Sequence, residues 1–277
     1  MNLLTILPDS LKDTLVSTVD TLVSKADTLA EVINANSPHG QAIDPSNYVA
    51  FTFFIGTMAM MAASVFFFFE LSNTAPEWRT SILVSGLITF IAAVHYYYMR
   101  DYNLSTTTAL NPDGDSPIFF RYVDWILTVP LMCVEFYLIT KKAGAKIGLL
   151  WKLIFASVIM LVTGYFGEAV DPWNAQIWGL VSGLAYFYIV YEVWLGDVAK
   201  LSKGSTPAVQ KAVGSLLKFV VIGWAIYPIG YMIGTADGQW YSFMAGWASM
   251  DIVYNIGDAV NKIGFGLVIY SLSRSKD

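Results

Sequence analysis

Seven runs of mostly apolar residues, each about 20 residues long, constrain the fold of this chain more than any other feature. A hydrocarbon core of roughly 30 Å needs about 20 helical residues, so each run predicts a membrane-spanning helix. Hydrophobic residues make up 56% of the chain and charged residues 13%, which excludes an ordinary soluble domain. We therefore expect an all-α, seven-transmembrane helix bundle. The runs extend over Asn47 to Phe69, Thr80 to Met99, Ile118 to Ile139, Ile147 to Phe166, Ile177 to Leu195, Leu216 to Ile233 and Ile252 to Leu272.

The distribution of basic residues predicts the orientation of this bundle. They follow the third run, the fifth run and the seventh run: Lys141, Lys142, Lys146, Lys200, Lys203, Lys211, Arg274 and Lys276. The loops after the fourth and sixth runs contain none. By the positive-inside rule the C-terminus is cytoplasmic and, with an odd number of spans, the N-terminus lies outside the inner (plasma) membrane. Because charge is segregated by membrane face, the net charge of −5 indicates no nucleic-acid partner.

Residues 1–45 form a region separate from the bundle, which occupies residues 46–277. Apolar residues recur at steps of three and four between Leu11 and Ile33, which predicts an amphipathic helix rather than a spanning one. Ser10 is a suitable N-cap, and the start lacks the basic n-region of a signal peptide. We expect this helix to rest on the outer surface of the membrane or on neighbouring subunits; a separate functional module is the alternative.

Four polar side chains share one face of the third run. They are Arg121, Asp124, Thr128 and Glu135. Their separations of three, four and seven residues place them in a narrow stripe at about 100° per residue. Glu135 lies roughly 16 Å beyond Asp124 along the helix axis, about half the thickness of a membrane. A charge at the bilayer centre costs at least about 2.5 to 3.5 kcal/mol, so structural ion pairs would need a partner for each charge. The stripe therefore favours a functional site.

The seventh run contains a lysine and an aspartate in the middle of an apolar span. Asp258 and Lys262 are one helical turn apart, so they face the same way. An unpaired lysine there would lose its proton, whereas a lysine converted to a protonated imine keeps its charge beside carboxylate counter-ions. Retinal counter-ions are one known use of charges within a membrane.

Aromatic residues of the sixth run could form the walls of such a site. In WAIYPIGY, Trp224, Tyr227 and Tyr231 follow one another at steps of three and four, beside Pro228. An aromatic stripe more often packs a core, but beside a central lysine this one favours a polyene held between rings. Further apolar walls would come from Trp125 and Met160.

At these positions the sequence resembles the microbial rhodopsins. The resemblance rests on RYVDWILTVPL in the third run, WAIYPIGY in the sixth and DAVNK in the seventh, and it covers Asn47 to about Leu272. The set Asp124, Thr128 and Glu135 is similar to that of proton-pumping proteorhodopsins and xanthorhodopsins. The resemblance implies all-trans retinal bound covalently to Lys262 as a protonated Schiff base. It also implies a light-driven outward proton pump, which is not an enzyme and holds no metal.

The resemblance further implies a role for each polar residue. Asp124 would be the primary proton acceptor and counter-ion, Asp258 the second counter-ion and Glu135 the cytoplasmic proton donor. Arg121 matches the arginine below the counter-ions. His95 matches the second-helix histidine that hydrogen-bonds the acceptor in proteorhodopsins. The retinal pocket would be lined by Trp125, Met132, Met160, Gly164, Trp224, Tyr227, Pro228 and Tyr231.

Three further positions bear on assembly, proton release and colour. The resemblance implies a homo-oligomer, a pentamer or hexamer. Phe54 stands where many proteorhodopsins have a tryptophan that touches the histidine of a neighbouring subunit, so we do not expect that contact between subunits. Met250 stands where some archaeal pumps keep a carboxylate for fast release, so we expect late release or another group. Met132 occupies the position where green-absorbing members have Leu or Met and blue-absorbing ones Gln, which predicts green absorption.

Gly179 bears on a second chromophore. By the resemblance it lies beside the ionone-ring end of retinal, where many relatives have Trp or Phe. In xanthorhodopsins a glycine at this position opens a window against which a carotenoid lies, so a carotenoid antenna is one interpretation. The alternative is that Gly179, with Gly183 four residues on, only eases close helix packing.

Other classes of protein fit the sequence less well. A light sensor would use the same pocket but needs no carboxylic donor three turns from the acceptor, so Glu135 favours a pump. Sodium pumps of this family carry Asn, Asp and Gln at the three motif positions, and chloride pumps lack the acceptor carboxylate. A seven-helix receptor without retinal would have no need of Lys262.

Overall fold

A computed structural model describes residues 47–275 apart from 109, 247 and 248. It also describes residues 13, 14, 17–21, 23–25 and 28, which are helical. The chain divides into two units, Met1–Ile43 and Asp44–Asp277. The remainder of the predicted N-terminal amphipathic helix, its N-cap and the linker after it lie outside the described residues.

Within the described ranges the regular structure is helical and contains no strand. Seven helical segments in these ranges are long and apolar enough to cross a membrane, which confirms the predicted all-α bundle. The fifth segment includes α5 and α6, and the sixth includes α7 and α8. Short 3-10 turns lie at Lys141–Ala143, Pro172–Asn174 and Ser242–Met244. The helices are α1 (Tyr48–Glu70), α2 (Arg79–Ser105), α3 (Ile118–Thr140), α4 (Ile147–Tyr165), α5 (Ala175–Trp194), α6 (Asp197–Lys203), α7 (Pro207–Lys218), α8 (Ile226–Gly234) and α9 (Met250–Ser273).

Helices that follow one another in the sequence are neighbours in the bundle. Consecutive helices from α1 to α5 pack side by side, and α9 closes the ring by packing against α1, α2, α7 and α8. The spans formed by α2, α3 and α9 have half or more of their residues buried, whereas the fourth, fifth and sixth spans have 28%, 22% and 28%. The interior of the bundle therefore consists mainly of α2, α3 and α9, and α3 and α9 carry the charged residues of the third and seventh runs.

Two π-helical turns interrupt the spans. One covers Phe166–Val170 at the end of α4, and the other covers Phe219–Gly223 between α7 and α8. Each turn closes with a hydrogen bond between residues five apart in the sequence, from Asp171 N to Phe166 O at 2.7 Å and from Trp224 N to Phe219 O at 2.8 Å. A π turn inserts an extra residue into a helix and is frequent at functional sites. Here the second turn ends at one of the aromatic residues predicted to line the pocket.

Neighbouring helices satisfy carbonyl groups of the second π turn. Tyr186 of α5 donates its hydroxyl to Val220 O at 2.8 Å. Asn261 of α9 donates its amide to Gly223 O at 2.9 Å. An unpaired carbonyl inside a membrane is costly, so these two bonds fix the turn in place. They thereby fix the direction in which Trp224 leaves the helix.

The start of the sixth span differs more from its prediction than the start of any other span. The apolar run begins at Leu216, but the helix begins at Pro207, where the Thr206 side chain accepts a bond from Val209 N. Basic residues expected in the preceding loop lie instead in α6 and α7, and only residues 204–206 separate those helices. Helices extend beyond the hydrocarbon into polar surroundings, so an apolar run marks less than the full helix. The residues concerned are Lys200, Lys203 and Lys211.

Candidate functional site

Lys262, Asp124 and Asp258 form a buried charged group, the lysine cluster, in the interior of the bundle. Each of the three residues is at most 2% exposed. Lys262 Nζ donates to Asp124 Oδ2 at 2.9 Å and also bonds Asp258 Oδ2. The contact between α3 and α9 thus joins the polar stripe of the third run to the lysine of the seventh. One ammonium group between two carboxylates is a desolvated arrangement that persists only when its charges are paired.

The two carboxylates of the lysine cluster have different hydrogen-bond partners. Tyr227 donates its hydroxyl to Asp258 Oδ1 at 2.7 Å, and Tyr96 donates its hydroxyl to Asp258 Oδ2 at 3.1 Å. Asp124 receives its bond from Lys262 through Oδ2, while its Oδ1 is buried with no hydrogen-bond partner in the described part of the chain. The anion of Asp258 therefore has stabilising donors that Asp124 lacks.

His95 lies near Asp124 but does not form the predicted hydrogen bond with it. His95 Nδ1 is 4.0 Å from Asp124 Oδ1, which is beyond hydrogen-bond distance. The same nitrogen bonds the carbonyl oxygen of Ile91 at 2.9 Å, one turn earlier in α2. Thr128 likewise donates its hydroxyl to the backbone oxygen of Asp124, at 2.9 Å. Competition from helix carbonyls thus explains why neither side chain bonds the Asp124 carboxylate.

Arg121 bonds the first turns of α9 rather than the lysine cluster. Its Nη2 donates to Asp251 Oδ1 at 2.6 Å, and both Nη atoms lie 3.2 Å from Asn255 Oδ1. The guanidinium carbon is 5.0 Å from the ring centre of Tyr254, in cation–π range. Among the described residues no hydrogen bond or ion pair joins Arg121 to Asp124 or to the other carboxylate of the cluster.

Glu135 is completely buried at the other end of the stripe. Ser85 of α2 lies 3.4 Å from Glu135 Oε1, and Oε2 has no hydrogen-bond partner within the described ranges. Ion pairs to Glu135 are also absent there. Burial without a cation favours the neutral form of a carboxylic acid. The site can therefore hold a proton about three helical turns from the lysine cluster.

A cavity of about 970 Å³, the lateral cavity, adjoins the lysine cluster. Tyr227 lines this cavity and also bonds Asp258, so one end of the cavity lies next to the cluster. The Trp125 ring is 4.9 Å from that of Tyr227, and its buried Nε1 has no partner among the described residues. The volume is within the range of small-molecule sites, and the lining is mostly aromatic and aliphatic. The predicted pocket residues that line it are Trp125, Met160, Gly164, Gly179, Trp224, Tyr227, Pro228 and Tyr231.

Two predicted pocket residues, Met132 and Lys262, do not line the lateral cavity. Both are 2% exposed. Met132 belongs to the packed core that contains Trp125 and Trp224. Lys262 instead bonds Asp258, which Tyr227 of the cavity wall also bonds.

The lateral cavity also reaches the outer surface of the bundle. Leu184 of α5 and Ile229 of α8, which line it, are 62% and 45% exposed, so the cavity opens between α5 and α8. At Gly179 an added Cβ would lie 2.6 Å from Tyr231 Cε1, so the tyrosine ring fills the space that this glycine leaves. At Gly183, which also lines the cavity, an added Cβ would meet no atom within 4 Å. The open part of the wall is therefore nearer Gly183 than Gly179.

The bacteriorhodopsin-like protein family matches residues 47–275. The chain belongs to this family. It is thus a seven-span membrane protein of the microbial rhodopsins, and the resemblance drawn from its three motifs is confirmed. The match covers the helices that build the lysine cluster and the lateral cavity, so the family relationship includes the whole candidate site.

Individual microbial rhodopsins support this assignment. The green-light absorbing proteorhodopsin of Gamma-proteobacterium EBAC31A08 is 42% identical over 237 residues, covering 84% of this chain and 90% of that protein. The crystal structure of a blue light-absorbing proteorhodopsin from Med12 is 38% identical with a TM-score of 0.65, covering 82% of this chain and 98% of that one. Xanthorhodopsin, a light-driven ion pump with dual chromophore, is 29% identical with a TM-score of 0.70, covering 84% and 96%.

Sequence reasoning missed several residues of the site. Asp251 and Asn255 precede Asp258 and Lys262 at steps of four, three and four, so the stripe of α9 extends two turns further than predicted. The spacing of these residues was sufficient to predict that Asp251 and Asn255 face the interior. The contact of Tyr96 with Asp258 had no comparable signal, because a run of three consecutive tyrosines in α2, which Tyr96 begins, does not show which ring faces inward.

Proposed function

We propose that this microbial rhodopsin is a light-driven outward proton pump whose retinal is bound covalently to Lys262. The observation that carries the proposal is that α3 holds both Asp124 of the lysine cluster and the buried Glu135, which has no ion-pair partner among the described residues. Light-driven pumps need an acceptor beside the chromophore and a donor on the other side of it, and α3 supplies both. The protein is accordingly a transporter and not an enzyme.

The residues around the lysine cluster fit retinal. The lateral cavity is large enough, has a mostly aromatic and aliphatic lining, and adjoins the lysine cluster through the bond of Tyr227 to Asp258. Asp124 and Asp258 would balance the positive charge of a protonated Schiff base, and Trp125 and Trp224 would hold the polyene. Bound retinal would supply light absorption and an isomerisation that changes the position and basicity of the lysine nitrogen. Met132 near this site supports green absorption.

The direction of transport would follow from the different surroundings of the carboxylates. Asp124 takes the proton from the lysine nitrogen, because Asp258 is already stabilised as an anion by two tyrosine hydroxyls. Glu135 keeps its proton in the dark, since burial favours the neutral acid, and then supplies it to the lysine nitrogen from the other side. Glu135 refills from the end of the bundle that carries Lys141 and Lys142, which the positive-inside rule makes cytoplasmic.

The family relationship also supports proposals about assembly and location. We place the N-terminus outside the inner membrane and the C-terminus in the cytoplasm, from the distribution of basic residues. We propose that residues 46–277 form the retinal-binding domain; the interpretation of residues 1–45 as an amphipathic helix and linker stays a prediction. The molecule would assemble as a homo-oligomer, a pentamer or hexamer as in the family.

A carotenoid antenna is a further part of the proposal. It is supported by the likeness to xanthorhodopsin, an ion pump with dual chromophore, and by the opening of the lateral cavity toward lipid. A hydroxylated carotenoid on the outer face of α5 and α8 would lie against the wall at Gly179 and Gly183. Excitation would then pass to retinal across the cavity.

The pump is tested by illuminating unbuffered cells that express the protein with retinal. External pH should fall in the light, and a protonophore should abolish the fall. Asp124→Asn should stop this acidification and shift the absorption to the red, because a carboxylate charge beside the lysine nitrogen is lost. Asp237→Asn, at an exposed loop position, is the matched control and should acidify normally. Wild-type acidification in Asp124→Asn would overturn the assignment of the acceptor.

A further inference from the structure

A continuous chain of hydrogen bonds leads from the buried Arg121 to the surface at the end of the bundle opposite Glu135. Arg121 is 2% exposed, and its Nη2 donates to Asp251 Oδ1 at 2.6 Å. The same oxygen accepts the hydroxyl of Ser116 at 2.9 Å. Ser116 is exposed, and the Asp251 side chain is 14% exposed. Asp251 is thus a carboxylate with a buried partner on one side and an exposed partner on the other.

Arg121 lies between Asp251 and the predicted acceptor. It is three residues before Asp124 in α3, which is roughly 4.5 Å along the helix axis. Asn255, one turn after Asp251 in α9, holds the guanidinium from the same side as Asp251. Arg121 is therefore the next charged group of α3 beyond Asp124 toward this end of the bundle, and the carboxylate bonded to Arg121 is Asp251.

Glu168 is the other carboxylate near this end, and its contacts differ. Tyr122 donates its hydroxyl to Glu168 Oε2 at 2.8 Å. Among the described residues Glu168 bonds neither Arg121 nor Ser116. It therefore lies beside the chain of bonds that reaches the surface and is not a member of it.

We propose that Asp251 is the exit carboxylate of the pump, a proton relay between Asp124 and the outer medium. The inference rests on the proposed function and names the group that completes it. The proton of the Asp124 carboxyl moves past Arg121 to an oxygen of the Asp251 carboxylate, which leaves Asp124 anionic and Asp251 neutral. Arg121 stays protonated and turns its charge toward the new anion. Its return to Asp251 expels the proton to water at Ser116, and the resting ion pair is restored.

The test is flash photolysis of the retinal-loaded protein with a pH-indicating dye in the medium. Asp251→Asn should delay the appearance of the released proton by about 100-fold, the lower end of the range for a positioned acid–base group. The return of the resting absorption should slow with it, while the earliest absorbance changes stay as in the wild type. Asp251→Glu should restore release. Asp115→Asn removes the same charge at an exposed position of the same end and should leave release unchanged.

Infrared difference spectroscopy of the wild type provides a second measurement that needs no folded variant. A protonated aspartic acid band should rise as Asp124 loses its proton and disappear with release, and it should shift when aspartate is labelled with ¹³C. Absence of this band would overturn the proposal. Proton release by Asp251→Asn at the same time after the flash as in the wild type would also overturn it. Delayed release in Glu168→Gln with normal release in Asp251→Asn would assign the role to Glu168 instead. If the wild type fails to acidify the medium in light, the proposed function itself fails.

Discussion

The carboxyl group of Glu135 differs from those of the lysine cluster in having no charged partner among the described residues. It is completely buried and contacts the hydroxyl of Ser85. Such a group is neutral unless a cation approaches, so it can store a proton. Its distance of roughly 16 Å from Asp124 along α3 is too long for a direct effect on the chromophore charge. Storage of the proton and absorption of light are therefore separable properties of this protein.

Glu135→Gln tests this separation. The amide has nearly the same size but cannot give up a proton, so the absorption maximum should stay within a few nanometres of the wild type. Recovery of the resting absorption after a flash should slow by about 100-fold and depend on external pH or added azide, because the proton must then come from the medium. Glu77→Gln, exposed at the same end, is the control. Wild-type recovery at neutral pH in Glu135→Gln would place the donor elsewhere.

At the level of single residues, the sequence predicted which charged side chains face the interior of the bundle but not which atoms they contact. Arg121 and the two aspartates had to lie inward because their burial against lipid is too costly. Whether His95 bonds Ile91 O or the Asp124 carboxylate depends on the rotamer of its side chain, and the carbonyl of the preceding helical turn is always within reach. Periodicity contains no information about that choice.

The helices illustrate a similar division between what is predictable and what is not. The thickness of the hydrocarbon sets the length that an apolar run needs to cross the membrane. The number and approximate extent of the spans could therefore be predicted from hydropathy alone. The π turn at Phe219–Gly223 could not be predicted, because the apolar residues in FVVIG suit an α-helical or a π-helical turn equally well. Its stability comes from Tyr186 and Asn261 on other helices, which are distant in the sequence.

Asn261→Leu tests the contribution of α9 to this turn. The substitution leaves the carbonyl of Gly223 without its donor inside the membrane and should lower the free energy of unfolding by about 0.6 to 1.7 kcal/mol. The melting temperature of the purified protein measures the change. Asn73→Leu, at an exposed position, should change it by less than about 0.5 kcal/mol. Equal melting temperatures for the two variants would show that the turn does not depend on Asn261.

On the scale of the whole molecule, the burial of the spans divides the bundle into two sides. The side formed by α2, α3 and α9 is densely buried and holds the lysine cluster, Arg121 and Glu135. The side formed by α4, α5 and α8 contains the lateral cavity, part of whose wall consists of glycines and lipid-exposed residues. Directed proton transfer needs buried donor and acceptor groups held at fixed positions, whereas exchange of excitation with a second pigment needs only close approach. The two sides of the bundle suit these two requirements.

The carotenoid proposal is therefore best tested by closing the cavity wall where it is open. Gly183→Trp places a large ring in a position where an added Cβ meets no atom within 4 Å, whereas Gly179→Trp must first displace Tyr231. Purified protein is incubated with hydroxylated carotenoids, and the excitation spectrum of retinal fluorescence is recorded. Carotenoid bands should appear in the wild type and in Gly148→Trp, a control at an exposed glycine of α4, and they should be absent from Gly183→Trp. If several carotenoids give no such bands in the wild type, the cavity does not serve an antenna; if the bands persist in Gly183→Trp, the carotenoid lies elsewhere on the bundle.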